Sequence, residues 1–449
     1  MSQRGASNAE VLGAYVAGTA RRNMPVAVLD AARLCLADWM GVALGAQEEA
    51  AGRIVRQTAE SWHSGGGAMV LFGGRAAAPL AALANGTLAH CLDFDDTYVD
   101  GVTHTSAPVW AATLALGEQV GSSEAEMLAA FITGFEVAAA MGRGMGQPVT
   151  ARGWHGTGAF GRLGAAAASA ALLKLNAEQA SHALATAATQ ISGLTGSFGT
   201  MAKPFHAGKA AMDGVLAAQL AKQDFIAAPG VLEPGGGLAR ALVQDGAADL
   251  SHADFSSWRI LENSFKPYAA CHLTHPAVDA AKHLRAKGWD AARGGDIHAG
   301  VSQLAAQVTG QASGHPSTPL EGKFDLKYCI AMALHGYELS AADFREPWRA
   351  DPKVCATADK VRVMPSEKLG FTAARLEAET SKDEREEIHV PIAKGHPGNP
   401  IGWDDMWSKF DGLVVPRLGN RTAELFEHMR DFGKANGFAE VRAIVGELH

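Results

Sequence analysis

The chain is poor in cysteine, in aromatic residues and in clustered positive charge, and each shortage closes off a class of function. Its five cysteines (Cys35, Cys91, Cys271, Cys329, Cys355) are scattered, odd in number and never spaced as CxxC. Neither a disulfide framework nor a thiolate zinc site follows, and the pattern fits a reducing compartment, so a cytoplasmic location is expected. The opening MSQRGASNAEVLGAYVAG lacks a basic stretch followed by an apolar one, so no signal peptide is expected. A formal net charge of −8 and the absence of a Lys/Arg stripe with interleaved aromatics argue against a nucleic-acid partner. The long uncharged run from Ala180 to Ala202 is broken by His182, Gln190, threonines and three glycines, which reads as a helix plus a loop and not as a membrane span. No solenoid-period repeat is visible.

What is present is ordinary for a globular protein: 47% hydrophobic and 19% charged residues over 449 positions, enough for a large core and, by size, two domains. The first two-thirds is rich in Ala and Leu at helical spacing. Ser123 with Glu126 forms a capping box opening a helix that is expected to run to about Met141 and stop before the Gly-rich GRGMGQP. Asn176 with Gln179 repeats the signal, and a third long helix is expected from about Gly158 to Leu173. Small residues on these helices predict short interaxial distances. After Phe265 come runs with β character: Ile297 to Val308, Lys360 to Val363, Arg375 to Glu379, and Ile388 to Ile392 behind the charged turn SKDEREE, an expected hairpin. From about Asn399 the pattern returns to helix. The expected fold is mainly α: a large all-helical domain (1–265, rejoined by 396–449) with a smaller inserted α+β lid domain (266–395).

Four windows carry chemistry. His90 to His104 reads HCLDFDDTYVDGVTH; if its first half is helical, His90, Asp93 and Thr97 share one face beside apolar Leu92 and Phe94. A carboxylate, a hydroxyl and two imidazoles on an apolar wall suit proton transfer on a polar small molecule, though a capped helix end with a polar loop would read the same way. The second window, Gly153-Trp154-His155-Gly156-Thr157-Gly158, precedes an Ala-rich helix, whose N-terminal N–H groups attract anions. Its formal G-x-G-x-x-G (Gly156, Gly158, Gly161) follows no strand, so a dinucleotide site is rejected. In the third, Pro204 is expected to push Lys203 into an extended loop entering a helix, with His206 adjacent, where the lysine could supply fixed positive charge for a carboxylate. In the fourth, KPYAACHLTHP, Lys266 precedes His272 and His275, which open another apolar helix. No H-E-x-x-H accompanies that pair, and no metal is assigned to it.

Taken in order, AHCLDFDDT, THTSAPV, GWHGTGAFGRLGAAAA, GTMAKPFHAGKAAMDGVLAA, KPYAACHLTHPAVDAA and EGKFDLKYCIAMAL resemble the MmgE/PrpD family over nearly the whole chain. That resemblance implies a homodimer of helical domains with α+β lids, working without a metal or organic cofactor. It also implies a pocket built from Asp93, Thr97, His104, His155, Lys203 and His272 as catalytic groups. His90, Gly156, His206, Lys266 and His275 are expected to bind substrate. Many relatives carry His-Pro where this chain has His104-Thr105. The expected activity is a cofactor-independent lyase acting on a small di- or tricarboxylate, with His104 as general base or acid and Asp93 orienting it. Dehydration of 2-methylcitrate stands first, then decarboxylation of cis-aconitate, then epimerisation of an iminodisuccinate-like substrate. Two rivals are weighed. Asp95-Asp96-Thr97-Tyr98-Val99-Asp100 is close to the Asp-rich magnesium motif of terpene synthases, but aromatics are only 7% and no second metal motif appears. A helical scaffold protein would leave Lys203 and the histidines exposed and dispensable.

Overall fold

The computed structural model describes residues 6–446 apart from 234, 244–253, 291–293, 345–348, 380–384 and 435–436. It divides into two compact units, Met1–Ser264 with Val414–His449, and Phe265–Leu413.

The first unit is helical. Helices Ala78–His90, Ser106–Val120, Glu124–Ala151, Gly156–Leu172, Ala177–Ala188 and Ala202–Lys222 surround a core in which alanines dominate. Glycines allow the close approach. A Cβ on Gly134 would lie 2.5 Å from the Gly164 carbonyl, and one on Gly164 would lie 2.7 Å from the Gly134 carbonyl, so these two helices touch backbone to backbone. Gly208 packs in the same way on Leu83 and Thr87, docking the Ala202–Lys222 helix on the Ala78–His90 helix. The capping boxes at Ser123–Glu126 and Asn176–Gln179 are both formed.

Two expectations about helix ends fail, one through tertiary packing and one through the tolerance of a helix's first turn for proline. The Glu124 helix does not stop near Met141; it runs through GRGMGQP to Ala151 with Pro148 inside it. Its glycines cost helix propensity, about 1 kcal/mol each relative to alanine. Here they form a groove: Cβ atoms on Gly142 and Gly146 would lie 3.0 and 2.4 Å from atoms of Gly101. Lys203, expected in an extended loop, lies in the first turn of its helix, where Pro204 is tolerated because first-turn N–H groups have no intrahelical partner.

The second unit is α+β. Its four-stranded sheet runs Val361–Ser366, Ile297–Ser302, Ala374–Glu379, Arg385–Val390, with the first pair parallel and the others antiparallel. The expected β run from Ile297 ends at Ser302, whose hydroxyl accepts from the Ala305 N–H and starts a short helix, Gln303–Val308. Of SKDEREE, Arg385–Glu387 belong to the last strand, and the rest lies outside the described residues. Helices His275–Ala286, Leu326–Leu334 and Pro352–Ala358 belong to the same unit.

Candidate active site

The His90 window is not one helix. The helix ends at His90, and Asp93 takes a left-handed conformation with φ +51°, so the expected shared face of His90, Asp93 and Thr97 does not exist. The sharp turn separates the acids instead. Asp95 faces the histidines. Asp96 faces the interior, where its carboxylate accepts from the Ser106 hydroxyl and from Asn263 Nδ2 at 2.6 Å, while its backbone N–H donates to Asp38 at 2.9 Å. Neighbouring carboxylates that diverge in this way do not assemble the metal cradle of the terpene-synthase rival.

The chain then doubles back through Tyr98 and Thr103, paired by backbone hydrogen bonds of 2.8 and 3.2 Å. Val102, a β-branched residue, sits at φ 49°, ψ 48°, a conformation costing about 1–2 kcal/mol. Gly101 lies in the groove of Gly142 and Gly146, and the Val102 carbonyl abuts Gly156. His104 follows directly, its N–H donating to Thr157 Oγ1 at 3.0 Å. Gly156 therefore accommodates the His104 loop.

The result is a chain of ionisable groups. Lys203 Nζ lies 2.8 Å from Asp93 Oδ2, and Asp93 Oδ1 lies 3.7 Å from His104 Nε2. His104 Nδ1 lies 3.3 Å from Asp95 Oδ2, which also meets His90 Nδ1 at 2.8 Å. Exposure grades along it: the Asp93, Lys203 and His104 side chains are 21%, 15% and 14% accessible, whereas Asp95 and His90 are 1% and 0%. One end can meet a solute and the other is sealed. Burial pushes the Asp95 carboxyl up, but His90 and His104 outweigh it and hold it well below the usual carboxylate range. Burial keeps the His90 imidazole below its ordinary value, against the pull of Asp95. A buried carboxylate behind one imidazole nitrogen, with the other nitrogen facing outward, is the arrangement that orients a general base. Asp95 was not among the expected site residues, because the expected mechanism paired Asp93 with His104; the adjacent Asp-Asp pair was the available signal.

His155 is the N-cap of the Gly156–Leu172 helix, although its side chain does not cap it. Its Nδ1 lies 3.1 Å from His206 Nδ1, and its ring stacks on His90 with centroids 5.7 Å apart. Burial first, then the nearby His90 and Lys203, hold the His155 imidazole well below its usual value, so it is a neutral hydrogen-bonding group. Buried Arg162 fixes this corner by bonding Asp213 and Ser192 at 3.0 Å each and the Gly158 carbonyl at 2.8 Å. Phe198 lies edge-on to His155 and under Lys203. Thr97 is placed by backbone pairing with Ser264, and its buried hydroxyl makes no hydrogen bond among the described residues.

Asp96 gives this region a pH signature. Burial, then Asp38, push its carboxyl up to about 7, against the bonds from Ser106 and Asn263. Its folded value exceeds the unfolded one, so its contribution to stability is complete below about pH 4 and is lost as pH rises through about 7. The buried histidines His90, His155 and His275 act in the opposite sense, so the signal is a difference between proteins. Asp96→Asn, which cannot ionise, is expected to gain melting temperature relative to wild type as pH rises from 5 to about 8. Parallel curves across that range would refute the assignment.

Lys266, His272 and His275 belong to the second unit. There Lys266 and His275 are buried, the His272 and His275 rings lie 4.9 Å apart, and His275 Nε2 is 3.1 Å from the Ala270 carbonyl. Burial, then the Lys266 charge, depress His275 to about 3. A cavity of about 510 Å³ in this unit, lined by Tyr268, Asp279, Lys282, His283, His389 and Lys394 among others, includes none of the expected site residues.

Comparison with known proteins matches residues 10–251 to the MmgE/PrpD N-terminal domain and residues 268–431 to the MmgE/PrpD C-terminal domain. Among curated proteins, cis-aconitate decarboxylase of Mus musculus is 32% identical over 215 residues, 46% of this chain and 43% of the relative. The Homo sapiens cis-aconitate decarboxylase is 31% identical over 215 residues, 46% of this chain and 44% of the relative. A cis-aconitate decarboxylase-like protein, oryM, of Aspergillus oryzae is 25% identical over 368 residues, 75% of this chain and 76% of the relative. The alignments thus span less than half the length of either mammalian relative.

Proposed function

The chain belongs to the MmgE/PrpD family, and on that footing we propose that it is a lyase acting on a small di- or tricarboxylate by general acid–base catalysis, with cis-aconitate as the first substrate to test. The observation that carries this reading is the graded run Lys203–Asp93–His104–Asp95. The Lys203 ammonium anchors a substrate carboxylate. Neutral His155 is a further donor for a second carboxylate. His104, oriented from behind by Asp95, moves the proton.

For cis-aconitate, the bond between the methylene carbon and its carboxylate breaks and CO2 leaves. The electron pair shifts towards the carbon bearing the distal carboxylate, and that carbon takes a proton from His104. Negative charge moves in this step from the departing carboxylate onto the distal carbon and its carboxylate, so a fixed ammonium beside the distal carboxylate stabilises the transition state more than the ground state. Dehydration of 2-methylcitrate uses the same anchors, with His104 removing the proton next to a carboxylate while the C–O bond to the tertiary hydroxyl breaks and that hydroxyl takes up a proton to leave as water. Decarboxylation is placed first because the three relatives carry that name. Each required proton and charge has a side chain to match it, so we assign the reaction no organic cofactor, and we take the working form to be a homodimer.

The test is an NMR time course of the chelator-treated protein with cis-aconitate and, separately, 2-methylcitrate in D2O. Itaconate carrying one deuterium is expected from cis-aconitate. Folded protein that converts neither compound, and exchanges no substrate proton for deuterium, would overturn the reading.

A further inference from the structure

Asp95 sits between two imidazoles, an arrangement with a second chemical use. We propose that Asp95 and the Nδ1 atoms of His90 and His104 form a reversible binding site for one divalent transition-metal ion of the zinc class, and that its occupancy silences the enzyme by withdrawing His104. The silencing clause rests on the assignment of His104 as the general acid–base group; the binding clause does not.

The donor set is two imidazole nitrogens and one carboxylate oxygen, which favours zinc, cobalt or nickel over magnesium or calcium. The three ligand atoms lie within 4.8 Å of one another. Asp95 Oδ2 is 2.8 Å from His90 Nδ1 and 3.3 Å from His104 Nδ1. Ligands on a tetrahedral zinc ion, with bonds of about 2.0–2.1 Å, stand about 3.3 Å apart. His104 Nδ1 is buried, and its 3.3 Å approach to Asp95 is an ion-pair contact looser than the 2.8 Å His90–Asp95 bond, without good hydrogen-bond alignment among the described residues. Drawing all three ligands onto one ion takes side-chain movement of about an ångström.

His90 Nε2 is also buried, without a hydrogen-bond partner among the described residues. Ligating histidines normally bond through their second nitrogen, and this one lacks that support. The site is therefore expected to exchange its ion and respond to free metal, unlike a closed structural centre. Inhibition follows from geometry. A metal on His104 Nδ1 replaces Asp95 as its orienting partner and puts positive charge on the ring that must exchange a proton.

The full chain, stripped of metal, is titrated with Co2+ by visible absorbance and with Zn2+ against a chromophoric chelator. One ion per chain is expected, with cobalt bands of low coordination number. His90→Gln and Asp95→Asn, each checked for fold by circular dichroism, should weaken binding by at least about 10-fold; His104→Gln serves if either variant unfolds. Absence of saturable binding, or equal affinity in the folded variants, would overturn the site. Turnover is then followed with Zn2+ and after adding chelator: reversible loss supports the silencing clause, and unchanged turnover at saturation refutes it. Should the protein convert no carboxylate but bind cobalt in a manner the variants abolish, the metal site stands and the functional proposal falls.

Discussion

His104→Ala is expected to lower kcat by roughly 10²–10⁴ while leaving the fold intact, because it deletes the group that moves the proton. The side chain is only partly buried, and its main-chain bond to Thr157 does not depend on the ring, so the loop retains its anchor. Asp95→Asn should fall in the same range, for a different reason. Asparagine keeps the shape but cannot hold the negative charge that stabilises the protonated imidazole, and its NH2 group can favour the wrong tautomer. The two losses must not add. If Asp95 acts through His104, then Asp95→Asn costs little more once His104 is gone, and the double variant turns over about as slowly as His104→Ala alone. Independent, multiplying losses would show that Asp95 serves something else. Wild-type turnover in a folded His104→Ala protein would remove the mechanism outright. KM separates binding from chemistry: both changes should act on kcat, whereas a Lys203 substitution should also raise KM.

Why the sequence showed some of this and hid the rest is a matter of range. Capping boxes and helical periodicity are local, and Ser123–Glu126, Asn176–Gln179 and the alanine-rich helices are where the sequence placed them. His104, His155 and Lys203 were legible as candidates because each stands in a distinctive window, and the family resemblance, which the domain matches bear out, tied those windows together. What stayed hidden depends on distant partners. The Gly-rich run after Met141 looks like a helix terminator, since its meaning lies in Gly101, some forty positions earlier. The left-handed turn at Asp93, a residue type that tolerates it, brings Asp95 as well as Asp93 against His104, a contact the sequence did not lead one to expect. Asp96 looked like part of a metal motif and became an interior carboxylate held by Ser106 and Asn263, the latter from far along the chain. Loop geometry, more than residue type, decided which acid stands beside His104.

That dependence on loop geometry sets the second large effect. Gly156→Ala is expected to reduce kcat by about 10² although it removes no functional group. By helix propensity alone the change should stabilise the protein by up to about 1 kcal/mol. The new Cβ, however, would stand 2.4 Å from the Val102 carbonyl oxygen, and that atom is backbone, not the end of a yielding side chain. Val102 is already left-handed, and Gly101 behind it is pressed into the groove of Gly142 and Gly146. The loop therefore cannot retreat along its own path. It must shift sideways, carrying His104 away from Asp95. A displacement near an ångström is enough to misalign a proton transfer that tolerates only a few tenths. Gly74→Ala, where an added Cβ meets nothing within 4 Å, is the matched control and should leave turnover unchanged. If Gly156→Ala lowered the melting temperature but kept full turnover, the loop would have some freedom the packing denies it, and the clamp would be structural alone. A drop in kcat at nearly constant melting temperature would establish instead that the glycines of two helices hold the base in register with its carboxylate.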